Sequence, residues 1–391
     1  MIRRKKENNN TTKMGKMFAV VAFATVLSQL PFFVSRGLAS AVSMAIWSFV
    51  AIICLMRCEG RVVLRNINTP LVISFAVFLF LGVMGLLNNE YFRSSVPRAI
   101  AIALFVLMIG NLAAPHLNKE DLDAILLGYA FGTVLLALAV YFEFLRGAIY
   151  TRIFLYDEKN STALILLTGL IVFISELSTK KAKKPIWIVV CLICSAVLGY
   201  CLLVMQCRAV YVSLAVVIVI LVFSSGLNKK VKLLVALAVI AAIVFYTFNA
   251  KALDNFLEKY IYAGRNRTNI DDISSGRAIE WRNFWNDLED GFFLGNGKMK
   301  RESLVLTALL EFGFIFGTLV LFLAVYPLLF AWRNLKPKTL LFVLFFSIAV
   351  SFIVNMFFEQ LAPFGPGVKC FLLWFLMGVC AAWKTDERIE V

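Results

Sequence analysis

Residues 186–224 read IWIVVCLICSAVLGYCLLVMQCRAVYVSLAVVIVILVFS, and the only charged residue among them is Arg208. Two apolar runs, 186–204 and 208–224, are separated by Met205, Gln206 and Cys207 alone. A helix crossing hydrocarbon needs about 17–25 predominantly apolar residues. Inside a bilayer the backbone must satisfy its own hydrogen bonds, so such runs fold as helices. The pattern repeats outward in both directions. Apolar runs fall at about 17–35, 37–56, 70–88, 97–115, 122–145, 160–176, 186–204, 208–224, 231–248, 303–331, 339–360 and 367–383. Across all 391 residues the chain is 61% hydrophobic and 16% charged. Soluble domains run at about 45–50% and 25%. This composition excludes a soluble enzyme, a disordered tail and a fibrous repeat. The expected fold is all-α: a polytopic transmembrane helical bundle of about 12 spans, one integral-membrane domain over 1–391.

The first two spans leave room only for a tight turn at Ser35–Arg36–Gly37. Pro31 lies inside the first, where neighbouring helices can satisfy the carbonyl it frees. The basic residues Arg3–Lys6 and the Ala39–Ser40–Ala41 triplet imitate a signal peptide, but the apolar run is long and cleavage there would cut the second span. Most cysteines, among them Cys54, Cys191, Cys194, Cys201 and Cys380, sit within apolar runs, where cysteine packs as a small hydrophobe. Cys191 and Cys194 form a C-x-x-C pair, which this setting assigns to packing over redox or metal binding.

Lys and Arg in short loops set orientation. They cluster at residues 3–16, 57–65, 180–184, 229–232, 333–338 and 384–388 and are sparse in the alternate loops. This places both termini in the cytoplasm. It also places 249–302, the one long hydrophilic stretch between spans, outside the membrane between spans 9 and 10. The net charge of +15 therefore belongs to membrane orientation, not to nucleic-acid binding. Within 249–302 acids and bases balance, and Phe256, Tyr260, Tyr262, Trp281, Phe284, Trp285, Phe292 and Phe293 argue for an ordered loop. Trp281, Phe284, Trp285 and Leu288 recur at i, i+3, i+4 and i+7, one face of a short amphipathic helix. Ser274 or Ser275 can cap its start and Gly291 its end. That face suits the headgroup level of a bilayer or, more plainly, covers the bundle. Asp287–Leu288–Glu289 resembles a D-x-D metal motif. Positions i and i+2 of a helix diverge by about 200°, so no metal is expected there.

The remaining charges gather at span ends on the outer side: Arg98, Glu143, Lys159, Arg208, Glu302, Glu311 and Glu359. Singly, each reads as an interfacial or snorkelling residue. Together they outline a polar cavity under the long loop. Arginine binds a diphosphate through two parallel hydrogen bonds and stabilises it as a leaving group in a low-dielectric site. A nearby carboxylate can take a proton from an attacking sugar hydroxyl.

These residues resemble the integral-membrane O-antigen polymerase and O-antigen ligase family, the Wzy- and WaaL-like group. The residues that carry the likeness are Lys159–Asn160, Cys207–Arg208–Ala209, Arg277 with Trp281, Phe292–Phe293–Leu294–Gly295–Asn296–Gly297, and Glu311, Gly313 and Gly317. The resemblance implies a glycosyltransferase of the cell (inner) membrane without metal or cofactor. Its substrate would be a polyprenyl-diphosphate-linked oligosaccharide, and a chain-length regulator and a flippase would be its protein partners. Arg208 and Arg277 would hold the donor diphosphate; Arg98, Lys159, Arg282 and Glu311 would be further substrate contacts. Ligases of the family carry a His shortly after Gly-x-Gly. Here Lys298–Ser303 follows, and the only histidine, His116, falls at the other end of a span. The departure favours a polymerase of O-antigen, capsule or exopolysaccharide over a ligase and makes Glu302 the candidate base, against a helix-capping role. A transporter or flippase of lipid-linked glycan is the reading from another class. Such proteins often repeat one half of the chain in the other, and no repeat relates 1–176 to 186–383.

Overall fold

The computed structural model describes residues 11–57, 64, 67, 71–77, 95–145, 159–179, 184–224, 226–262, 268–289, 291–295, 301–365 and 368–383. Among these residues every regular element is helical. The first half holds Lys13–Leu27 (α1), Pro31–Val34 (α2), Ala39–Arg57 (α3), Ser95–Ala113 (α4), Lys119–Val140 (α5), Lys159–Glu176 (α6), Pro185–Val204 (α7) and Arg208–Phe223 (α8). The second holds Lys229–Phe248 (α9), Ala250–Phe256 (α10), Ile270–Ile273 (α11), Arg277–Glu289 (α12), Leu304–Asn334 (α13), Leu340–Met356 (α14) and Val368–Trp383 (α15). Seven of the described helices are long and apolar enough to cross a membrane: α3, α4, α5, α6, α7, α9 and α13. Arg208–Phe223, Leu340–Met356 and Cys370–Trp383 are apolar but shorter. Most of the run expected at 70–88 lies outside the described residues, as do the Gly297 end of the Gly-x-Gly stretch and both extreme termini.

One expected span changes form. The run 17–35 is not continuous: α1 ends at Leu27 and Pro31 opens the separate turn α2. Proline lacks the N–H that a helix interior needs, but it fits the first helical position, where that N–H would be an orphan. The chain then reverses through Ser35–Gly37, with Gly37 at φ 67°.

Packing is close where small residues meet. α4 lies along α15, with Gly110 against the backbone of Phe375 and Gly378 against that of Leu107. Asn111 Nδ2 donates to the Gly378 carbonyl at 3.2 Å, and Trp383 Nε1 to that of Ala114 at 2.9 Å. Without a hydrophobic drive between helices in lipid, such backbone approach and hydrogen bonds hold them together. From Cys370 to Trp383 the hydrophobic side chains are buried, so α15 runs through the middle of the bundle. α9 is equally apolar but almost wholly exposed, beside α8 at the edge.

The long helix α13 breaks at Gly313, where φ is 70° and ψ −178°. The break frees two N–H groups. Phe314 N donates to the Phe292 carbonyl at 2.7 Å and Ile315 N to that of Phe293 at 3.2 Å. Gly295, at φ 75°, presses against Gly313 and the Glu311 carbonyl, and Phe292 stacks on Phe314 with centroids 5.6 Å apart. The end of the 249–302 segment is thus spliced into the side of α13. Beyond Gly313 the helix is about 30 Å long at 1.5 Å per residue, enough for a hydrocarbon core.

A methyl group at Gly313 would enter the backbone of Leu294 and Gly295, at a φ that side chains avoid. Gly313→Ala is therefore expected to cost about 2 kcal/mol or more, read as a lower thermal midpoint of the detergent-purified chain. An unchanged midpoint would mean that the splice does not form.

Candidate functional site

Four helices begin at one place. α6 starts with Lys159, α8 with Arg208 and α12 with Arg277; α13 starts after its cap Ser303, with Glu302 just outside. Local contacts tie these starts together. Cys207 Sγ donates to Asn160 Oδ1 at 3.2 Å, joining the heads of α8 and α6. Ser303 Oγ accepts from Val305 N and donates to the Met356 carbonyl, both at 3.2 Å, joining the head of α13 to the end of α14. Ser274 Oγ accepts from Ala278 N at 3.0 Å and so caps α12, as its position in the sequence suggested.

Between these starts lies a cavity of about 340 Å³. Lys159, Asn160, Gln206, Arg208, Ser274, Ser275, Arg277 and Glu302 supply its polar lining; Val212, Ile273 and Phe358 are among its apolar walls. Arg277 Nη2 pairs with Glu302 Oε2 at 3.0 Å, and Arg208 Nη2 donates to Ser275 Oγ at 2.7 Å. Gln206 Nε2 donates to the Lys259 carbonyl at 2.8 Å, so two separate parts of the 249–302 segment are fastened at the cavity.

The electrostatics point to an anion. A helix start carries roughly half a positive charge and disfavours a cation there by about 0.3–1 kcal/mol. Here three helices open with a cation, and all three cations face one cavity whose lining holds a single carboxylate. Helix N-termini and arginine forks are both phosphate-binding elements. Glu302 offsets part of the repulsion within the cluster, and the Glu359 carboxylate acts on Cys207 beside it together with Lys159 and Arg277.

Of the residues singled out from sequence, Lys159, Arg208, Arg277 and Glu302 come together. Three stand elsewhere. Arg98 is exposed on the first turn of α4. Arg282 is exposed and pairs with Asp271 at 3.3 Å, outside the lining. Glu311 is buried within α13 beside the Gly313 break. The amphipathic face of α12 divides: Phe284 and Leu288 are buried against Leu306 and Leu310 of α13, Trp281 stacks on Phe357, and Trp285 is 68% exposed. Asp287 turns toward Arg301, whereas Glu289 is exposed, so the two carboxylates diverge. Gln206 and Phe358 carried no signal in the sequence. The Ser275–Gly276 dipeptide, a turn signal, did mark the bend that brings Ser275 to Arg208.

Comparison with protein-family models and with curated proteins returns no match.

Burial pushes the Cys207 thiol up to about 11, the nearby Glu359 carboxylate adding to the shift. The neutral thiol that donates to Asn160 is thus the dominant form at neutral pH. The unfolded thiol ionises first, so this contribution is intact below about pH 9 and fades as pH rises toward 11. Iodoacetamide at pH 8 is expected to leave Cys207 unmodified in the folded protein and to modify it after denaturation, by peptide mass spectrometry. Rapid labelling of the folded chain would contradict the buried, hydrogen-bonded thiol.

Proposed function

We propose that this chain polymerises a surface polysaccharide, such as O-antigen, capsule or exopolysaccharide, from polyprenyl-diphosphate-linked units. The observation that carries the reading is the convergence of Lys159, Arg208 and Arg277, each the first residue of its helix, on a cavity that also holds Glu302. In this reading the chain is a twelve-span protein of the cell membrane with both termini in the cytoplasm. Residues 249–302 then lie on the outer side, where finished repeat units are presented. Undecaprenyl diphosphate is the carrier class that such a site suits.

Arg208 and Arg277 hold the donor diphosphate, and Lys159 adds charge. A hydroxyl oxygen of the acceptor sugar forms a bond to the anomeric carbon of the growing glycan. The bond from that carbon to the diphosphate breaks, and the diphosphate leaves with the electron pair, its developing charge stabilised by the arginines and the helix starts. The hydroxyl proton passes to Glu302. Arg277, paired with Glu302 before the donor arrives, keeps the carboxylate at the cavity edge. None of these steps calls on a metal or a nucleotide. Arg282 and Arg98 have no part in this scheme.

Two substitutions test it in a reconstituted assay that reads polymer length and yield. Arg208→Lys keeps the charge and loses the planar fork, and is expected to shorten or reduce polymer at normal membrane abundance. Glu302→Gln removes the base and is expected to slow polymerisation by about 10²–10⁴. If Glu302 only complements the start of α13, its loss costs about 0.3–1 kcal/mol of stability and polymer forms as in the parent. Parental behaviour of both variants would sink the polymerase assignment of this cavity and favour the transporter reading.

A further inference from the structure

Two of the residues lining the cavity hold a backbone conformation that their side chains disfavour. Gln206 has φ 50° and Ser275 φ 58°; among the described residues they are the only non-glycine positions with positive φ. An L side chain reaches this region at a steric cost that glycine does not meet. Both lie in turns, where glycine is the usual solution, and Ser275 is followed by Gly276 at φ 83°. Strained residues of this kind gather where the surrounding structure needs a particular side chain.

Each of the two side chains makes a contact that glycine could not. Ser275 Oγ accepts from Arg208 Nη2 at 2.7 Å. Gln206, two residues before Arg208, donates from Nε2 to the Lys259 carbonyl at 2.8 Å. One contact fixes the tip of the Arg208 side chain. The other fixes the turn from which α8 starts and ties it to the segment above. Ser275 therefore acts on the guanidinium itself, and Gln206 on the turn from which the arginine departs.

We propose that Gln206 and Ser275 are positioning residues for Arg208: their strained turns are kept because their side chains aim its guanidinium into the cavity. The inference rests on the reading of the cavity as a diphosphate site. An arginine fork grips a diphosphate only when its plane is held in register. A side chain that rotates freely must be ordered when the anion binds. A hydroxyl and a strained turn that restrain Arg208 beforehand lower that cost.

Glycine separates this role from that of ordinary turn residues, because it relaxes the turn and removes the contact together. The test uses the full chain purified in detergent, inorganic pyrophosphate as the probe, calorimetry for affinity and thermal unfolding for stability. Ser275→Gly is expected to raise the thermal midpoint by about 2 °C and to weaken pyrophosphate binding by roughly fivefold to tenfold. Ser275→Asn is expected to restore binding to within about twofold, since asparagine tolerates positive φ and its amide oxygen can accept from Arg208. Gln206→Gly is expected to weaken binding without loss of stability. A glycine variant at residue 275 that is more stable and binds like the parent would overturn the proposal. So would a Ser275→Gly chain that is less stable than the parent yet binds like it, because the hydroxyl would then serve the fold and not the cavity. If the parent itself binds no pyrophosphate, the diphosphate reading fails before any variant is made, and the positioning role fails with it.

Discussion

A chain in hydrocarbon has no water to satisfy its backbone, so every N–H and C=O must be paired within the protein. Helices meet this demand everywhere except at their ends, where the first N–H groups and the last carbonyls remain over. The described part of this protein handles its ends in two ways. Side chains cap some of them, as Asn118 does at the head of α5 and Ser303 at the head of α13. At the cavity, four heads are gathered and three of them open with a cation. Positive charge beside positive helix ends is costly by itself, and the same combination makes the cavity a place that favours an anion.

The break in α13 belongs to the same logic. Gly313 interrupts the hydrogen-bond ladder inside an apolar helix, and the freed N–H groups are paired with the carbonyls of Phe292 and Phe293. Because those residues follow α12 directly, the splice fixes α12 along α13. Phe284 and Leu288 close the contact on the apolar side. The result sets Arg277, at the head of α12, within 3.0 Å of Glu302, at the head of α13. Gly295 and Gly313, two of the glycines that resembled a family motif, thus act through backbone contact between loop and helix. They position the cationic residue, and neither lines the cavity.

Much of this was legible in the sequence. Apolar runs bounded by charges foretold the helices, because length and composition suffice to identify them. The gathering of Lys159, Arg208 and Glu302 follows from assigning charged span ends to one side, and Arg277 is placed with them by the family resemblance. Other features could not be read. α9 and α15 have similar composition, yet one lies at the exposed edge and the other in the middle, since lipid and protein interior are equally apolar to such a helix. The proline break after α1 is not legible, because an apolar run does not reveal whether its ladder continues. Arg98 and Arg282, substrate contacts that the resemblance implies, are exposed and lie outside the cavity lining. Gln206 owes its role to a backbone dihedral, which composition and spacing do not encode.

Whether the cavity at the four helix heads receives a diphosphate is decided by a cryo-electron microscopy structure of the purified chain with a polyprenyl diphosphate bound. Density for both phosphates is expected between Lys159, Arg208 and Arg277, with the Arg208 and Arg277 guanidinium groups in hydrogen-bond contact with phosphate oxygens. Diphosphate density elsewhere on the protein, with this cavity occupied only by water or detergent, would contradict the diphosphate reading.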